Sequence, residues 1–317
     1  MSDTTTCLAL SGGVGGAKLA LGLANYLDPT ALAIAANIGD DFEHLGLTIC
    51  PDIDTLTYTL SGLNNPQTGW GRAEDTPTFM HALEALGGET WFHLGDGDLA
   101  MHVARSHRLR AGETLSHITA DICQNLNIRT RIMPASNDSV RTIVQTLSGP
   151  LPLQHYFVRE KCAPEVTGFH YEGAEQAQVN PDILAALSSP TLRAIIICPS
   201  NPYISIDPIL AMPELNSALK QCRAPIVAVS PIVGGESLKG PTAKMMQELG
   251  VAVSAESVAR RYRDLIDGFV LDPADASLEP SIRALGVQTR IAPSVMNSLD
   301  DKVQLAKAAF EFAVSLT

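Results

Sequence analysis

"CLALSGGVGGAKLALGLANYLDPTALAIAANI", Cys7 to Ile38, decides the fold of this chain. Its first five residues form an apolar run of the length of a buried strand. From Lys18 to Leu27, the leucines at 19, 23 and 27 recur every four residues and mark one face of a helix. Ala31 to Ile38 is almost uninterrupted apolar sequence, the pattern of a strand covered on both faces in a parallel sheet. Strand, glycine turn, helix and strand within about 30 residues make a βαβ unit. The glycine turn then lies at the carboxyl end of the first strand, where open α/β sheets bind ligands.

That turn carries Gly12, Gly13, Gly15 and Gly16 in five positions, but it fits neither common nucleotide fingerprint. The third glycine of G-x-G-x-x-G is missing, and Lys18 follows Ala17 rather than the glycine of a Walker loop. Backbone N–H groups left bare at a helix N-terminus still make an anion site, and Lys18 adds a compact charge. The plain alternative is a tight turn that needs glycine for backbone reasons alone. The density of glycines favours a phosphate.

Working outward, 317 residues suggest roughly two domains, or one large α/β domain with an appendage. With 45% apolar and 18% charged residues, the composition is that of a soluble globular protein. No apolar run approaches the ~20 residues of a membrane span, and the N-terminal pattern does not read as a secretory signal. The six cysteines are scattered without a C-x-x-C pair, which points to reduced thiols and a cytoplasmic location. A formal net charge of −12 argues against nucleic acid or an anionic membrane as partner. A phosphate substrate must therefore be attracted by local devices: backbone amides, a few cations or bound metal.

Further strands are expected at "WFHLG" (91–95), "RTRIMPAS" (129–136), "LQHYFVRE" (153–160), "LRAIIICPS" (192–200), "PIVAVSP" (225–231), "GVAVS" (250–254) and "GFVLD" (268–272). Helices are expected at "TPTFMHALEAL" (76–86), "TAKMMQELG" (242–250) and the C-terminal "LDDKVQLAKAAFEFAVSL". The polar segment 162–190 reads as an insertion or small subdomain. The expected fold is α/β and Rossmann-like: one domain over 1–317, a mostly parallel sheet with helices on both faces, and a smaller inserted or helical subdomain.

The chemistry concentrates after strand ends. "NIGDDFEHLGLTICPDIDT" (37–55) holds Asp40, Asp41, Glu43, Asp52 and Asp54 within fifteen residues. Carboxylates beside a phosphate loop suit Mg2+, which binds through one or two of them plus substrate oxygens; helix capping is the alternative for Asp52 and Asp54. "HLGDGDLAMHVARSHRLRAGET" (93–114) offers Asp96, Asp98, His102, Arg105 and His107, with His102 and Arg105 on one helix face. Its histidines lack zinc spacing, and a His–Arg pair touching phosphate is better motivated. "CPSNPYISIDPIL" (198–210) and "SPIVGGESLKGPT" (230–242) add polar turns at further strand ends, with Ser200, Asn201, Lys239 and Thr242. No G-x-S-x-G elbow or readable Cys–His pair suggests covalent catalysis. Metal-assisted chemistry on a phosphate fits better.

These blocks, together with "GWG", "LGDGDLAMHVARS" and "MPASND", resemble in order and over essentially the whole chain the 2-phospho-L-lactate transferases of coenzyme F420 biosynthesis, the CofD family. The resemblance implies a Mg2+-dependent transfer of a phosphorylated three-carbon acid (phosphoenolpyruvyl, 2-phospholactyl or 3-phosphoglyceryl). The group moves from a GDP-activated donor to the terminal ribityl hydroxyl of the deazaflavin Fo, and GMP leaves. It implies Asp40 and Asp54, then Asp41, as catalytic carboxylates, with Asp40 and Asp54 holding metal or the acceptor hydroxyl. Asp54 would alternatively hold the ribityl chain or help deprotonate its hydroxyl. It further implies Gly12, Gly13, Gly15, Gly16, Lys18, Ser200, Asn201, Lys239 and Thr242 at the nucleotide, Asp96, His102 and Arg105 near substrate, Trp70 as a wall for Fo, and a homodimer. One departure stands out. Relatives commonly read G-D-R-D where this chain has "GDGD", so Gly97 replaces an arginine and His102 or Arg105 would have to compensate.

Two other readings compete. A non-catalytic nucleotide-binding regulator of the YvcK type would share the first loop, but "CPDIDT" speaks against it. A nicotinamide dehydrogenase would use Asp40 for ribose, but the missing third glycine opposes it.

Overall fold

The computed structural model describes residues 5–317. Strand β1 (Cys7–Ser11), helix α1 (Gly13–Tyr26) and strand β2 (Leu32–Ala36) realise the βαβ unit, and both strands are fully buried. Helix α1 buries Leu19 and Leu23, two of the leucines that marked its face. The main sheet has seven strands in the order Gln288–Ile291, Gly268–Leu271, Ile226–Val229, Ala194–Ile197, β1, β2, Arg131–Pro134. Every neighbouring pair is parallel; Leu10, for instance, lies between Ala35 and Ile197. Helices surround this sheet, and the C-terminal helix Leu299–Val314 packs on α1.

The order fixes where a ligand goes. The chain first winds outward from β1 through β2 to Arg131–Pro134. It then returns to the other side of β1 at Ala194–Ile197 and winds outward again. Between β1 and Ala194–Ile197 the winding reverses, and the crevice beyond the carboxyl ends of those strands is the natural binding place. The glycine turn and the turn after Ile197 meet there so closely that a Cβ at Gly15 would fall 2.2 Å from the Pro199 carbonyl oxygen.

Segment 162–190 contributes strand Val166–Glu172 and helix Pro181–Leu187. The strand pairs antiparallel with Arg141–Thr146, which also pairs with Gly149–Pro152, so this added sheet begins about twenty residues before the expected segment. Three expected strands are not strands. Residues 91–95 form bends leading into a helix, 153–160 contain the helical turn His155–Arg159, and 250–254 are an extended lead into helix Ala255–Tyr262. Short apolar runs carry no periodicity that distinguishes a strand from a buried loop. Here the apolar groups pack as rings: Phe42 lies 6.0 Å from Trp91 and 4.8 Å from Phe92. Conversely, the edge strand Gln288–Ile291 is polar and mostly exposed, and its sequence gave no strand signal.

Candidate functional site

A cavity of about 630 Å³ opens at the reversal point. Its floor is built by the glycine turn and by α2 (Pro51–Ser61), which follows β2 through a short hairpin. Pro51 occupies the first turn of α2, where its missing N–H costs nothing, and Asp52 and Asp54 sit in the same turn. Asp52 is clamped. One oxygen accepts the Gly13 N–H at 2.5 Å and the other accepts from Asn37 Nδ2 at 2.9 Å, while Asn37 Oδ1 accepts the Gly39 N–H at 2.9 Å. A Cβ on Gly12 would lie 2.5 Å from Asp52 Oδ2, and Gly13 has φ +64°. These glycines therefore serve close packing, and their own N–H groups are taken by Asp52 and Ser200. Gly16 serves packing alone: a Cβ there would meet Ser11 Oγ, and it does not line the cavity.

Asp40 lines the cavity and is 9% exposed, yet its Oδ1 has no hydrogen-bond partner among the described residues. Burial, reinforced by the charges of Asp52 and Asp41, pushes its carboxyl well above the usual range. Burial also pushes Asp52 up to about 6 against its two hydrogen bonds, and Asp41 up to about 7 against the pull of Arg141. Asp41 lies behind the cavity surface. A cavity-lining carboxylate with one orphaned oxygen, crowded by two further carboxylates, is a position where a divalent cation offsets burial and repulsion together. The residues present thus fit Mg2+.

Asp54 also lines the cavity, but its two oxygens face α4 (Asp96–Arg110), where the Arg105 guanidinium holds both in a two-armed ion pair. Arg105 is 1% exposed and does not reach the cavity surface, so it is not free for phosphate. His102 lines the cavity, with Nδ1 3.6 Å from Asp54 Oδ2 and Nε2 3.3 Å from Asp98 Oδ2. Tyr58, one turn after Asp54, donates its hydroxyl to Asp98 Oδ1 at 2.6 Å. Burial opposes ionisation of Asp98, but His102 beside it and the hydrogen bond from Tyr58 hold its carboxyl below the usual range.

Asp98, not Asp96, belongs to the cavity. Asp96 turns outward and ties down helix α3 (Thr78–Ala85) by accepting the Phe79 N–H at 2.8 Å and the Thr76 hydroxyl. The signal that finds Asp98 is its spacing to His102: four residues on a helix share a face.

Two cations reach the cavity. Lys18 donates to the Met296 carbonyl at 2.9 Å and Lys239 to the Thr68 carbonyl at 2.8 Å. Burial, then the charges of Lys239 and Lys302, lowers the Lys18 pKa. Among the described residues neither ammonium is neutralised by a carboxylate, so both are available to an anion. Ser200, Asn201 and Thr242 line the cavity as well. The Ser200 hydroxyl accepts the Gly12 N–H at 3.4 Å, and Asn201 Oδ1 caps the next turn through the Tyr203 N–H at 3.0 Å.

The lining is also aromatic. Trp70, 55% exposed, follows the Thr68 carbonyl that Lys239 holds, and Trp91, Phe92, Phe157 and Tyr58 line the same cavity. Trp91, Phe92 and Phe157 come from the two stretches whose composition suggested strands. Gly97 lies nearby, and a Cβ there would meet Arg72 Cδ at 3.1 Å and Nε at 3.2 Å. The Arg72 side chain thus runs along the bare first turn of α4, while His102 and Arg105, the expected replacements for an arginine at 97, are engaged by Asp98 and Asp54.

Away from the cavity, Glu113, His117 and Asp121 come together on the surface, but Arg108 already bridges Glu113 and Asp121 at 2.5 Å each. Among the described residues, no helix is long and apolar enough to cross a membrane.

Comparison with known proteins gives a consistent match. The family described as 2-phospho-L-lactate transferase CofD matches residues 7–306. A phosphoenolpyruvate transferase of Streptomyces griseus is 36% identical over 312 residues, covering 96% of this chain and 98% of its own. A 2-phospho-L-lactate transferase of Methanococcoides burtonii is 35% identical over 300 residues, covering 95% and 97%. Among solved structures, a UPF0052-family protein of Bacillus halodurans superposes with a TM-score of 0.62 over 96% of this chain and 98% of its own. At 16% identity, that likeness is one of fold.

Proposed function

The chain belongs to the CofD family of 2-phospho-L-lactate transferases, enzymes of coenzyme F420 biosynthesis, and from that premise we propose how this cavity is used. The donor is a GDP-activated, phosphorylated three-carbon acid and the acceptor is the terminal ribityl hydroxyl of Fo. The name of the Streptomyces griseus relative favours the phosphoenolpyruvyl form of the donor. The observation that carries this reading is the mixed lining of one cavity. The N-terminal turn of α1, Lys18 and Lys239 suit a diphosphate, the aromatic rings suit a flat heterocycle, and carboxylates line the same space. A protein that only bound nucleotide would need neither the aromatic rings nor an orphaned Asp40.

In the reaction, the acceptor oxygen forms a bond to the β-phosphorus as the bond from that phosphorus to the GMP oxygen breaks, and GMP leaves with the electron pair. Such transfers depend on positioning and charge neutralisation rather than on covalent work by the protein. The N-terminal turn of α1 and the two lysines hold the phosphates, with Ser200, Asn201 and Thr242 beside them. Trp70, Trp91 and Phe92 hold the ring through offset or edge contacts. Asp40 would hold Mg2+, which when bound neutralises charge on the phosphates, while Asp54, tied to Arg105, lines the same cavity. Arg72 lies along Gly97 but outside the cavity lining, and would have to turn inward to supply the guanidinium that relatives place at position 97. A homodimer and a cytoplasmic location accompany this reading.

The test is release of GMP from the activated donor. Release that requires Fo supports the transfer; nucleotide binding without Fo-dependent release makes the chain a binding protein.

A further inference from the structure

Among the described residues four aspartates line the cavity; two have both oxygens engaged and a third is assigned to the cation. Asp52 gives one oxygen to Gly13 and the other to Asn37. Asp54 gives both to Arg105. Asp40 sits in the carboxylate cluster that fits a cation. Asp98 differs from all three. Its Oδ1 receives one hydrogen bond from Tyr58 and its Oδ2 faces His102 at 3.3 Å. A carboxylate has about four lone-pair positions, so each oxygen retains room to accept a further proton donor. The side chain is 17% exposed, against 7% for Asp54.

Placement matters as much as capacity. Asp98 lies in the first turn of α4, fixed there by its N–H bond to Asp75 Oδ2 at 2.9 Å. It accepts a hydrogen bond from Tyr58, and His102 beside it leads back to Asp54. It lines the same cavity as the rings assigned to the acceptor. The titratable and charged groups that face Asp98 are Tyr58 from α2, His102 and Arg105 from α4, and Asp75 from the segment before α3.

We propose that Asp98 is the catalytic residue that orients the acceptor hydroxyl and takes its proton, with Tyr58 and His102 as positioning residues that aim the carboxylate. This rests on the transfer reading above. The acceptor oxygen bonds to phosphorus, the phosphorus–GMP bond breaks, the hydroxyl proton moves to Asp98, and water receives that proton after product release. An ionised aspartate beside the attacking hydroxyl is the arrangement that phosphoryl transfer uses elsewhere.

Asp98→Asn and Tyr58→Phe, assayed with Fo, Mg2+ and the activated donor, decide the matter, with GDP affinity by calorimetry and folding by circular dichroism. Asp98→Asn is expected to lower kcat by about 100-fold or more, the contribution of a general base, with the KM for Fo changed by less than about threefold. GDP affinity is expected to stay at the wild-type value. Tyr58→Phe removes a hydrogen bond that favours the charged carboxylate, so the acidic limb of kcat/KM moves to higher pH. A purely structural tyrosine would not move that limb. If Asp98→Asn does not fold, the limb in Tyr58→Phe alone decides. A kcat within about threefold of wild type in Asp98→Asn, or an unmoved limb in Tyr58→Phe, overturns the proposal while leaving the transfer reading intact. A wild-type protein that never transfers overturns both.

Discussion

Arg105 and Asp54 form a two-armed ion pair beneath the cavity, with the guanidinium 1% exposed and the carboxylate reaching the cavity surface. Asp54 therefore presents a fixed, charge-balanced edge to the cavity. Removing one partner of such a pair leaves a buried charge uncompensated, which costs about 3–5 kcal/mol. Arg105→Met is expected to lower unfolding stability by that amount in a denaturant titration, and Arg105→Lys to recover only part, because an ammonium cannot span both oxygens. A loss below about 1 kcal/mol for Arg105→Met would place the pair among surface contacts instead.

Asp40 presents the opposite case, a buried carboxylate oxygen without a partner. In the absence of divalent ions, Asp40→Asn is expected to raise the melting temperature at pH 8, because the neutral amide escapes the burial and repulsion that penalise the charge. The same variant loses the stabilisation that Mg2+ gives the wild type. Melting curves with EDTA and with Mg2+ read both effects, and an equal Mg2+ shift in the two proteins would exclude Asp40 as a ligand.

The pH dependence follows from Asp41. Its carboxyl is raised from 3.8 to about 7 in the folded chain, chiefly by burial. Between those values the folded state binds more protons than the unfolded state, so stability falls as pH rises through that window. Below the lower value there is no penalty, and above the upper one it is complete. Relative to wild type, Asp41→Asn is expected to gain stability from pH 4 to pH 7, on the order of a few kcal/mol at the top. A difference that stays flat across this range would show that Asp41 titrates normally.

Arg72 forms no ion pair among the described residues and lies along Gly97. Arg72→Ala is expected to raise the donor KM about tenfold, as loss of a charge-assisted hydrogen bond does, with little change in melting temperature. Unchanged donor kinetics would separate Arg72 from the substrate.

How much of this was legible in the sequence varied with distance along the chain. The βαβ unit was readable because its strands, glycines and leucine spacing are local. The carboxylate block was readable as a block, but not the partner of each acid. Whether Asp54 faces phosphate or arginine is decided by Arg105, on a helix that begins more than forty residues later. Asp96 and Asp98 look equivalent in "GDGD", yet two helical residues point about 200° apart. One therefore caps a neighbouring helix while the other lines the cavity. Trp91, Phe92 and Phe157 were hidden because an apolar run reads alike as strand or as cavity wall.

The central claim is that one cavity brings an activated donor and Fo together. Mass spectrometry of Fo after incubation with the purified protein, Mg2+ and a panel of GDP-activated three-carbon acids tests it most directly. The account predicts a mass gain on Fo equal to one phosphorylated three-carbon acid with at least one donor, accompanied by GMP. Fo recovered at its original mass with every donor would contradict it.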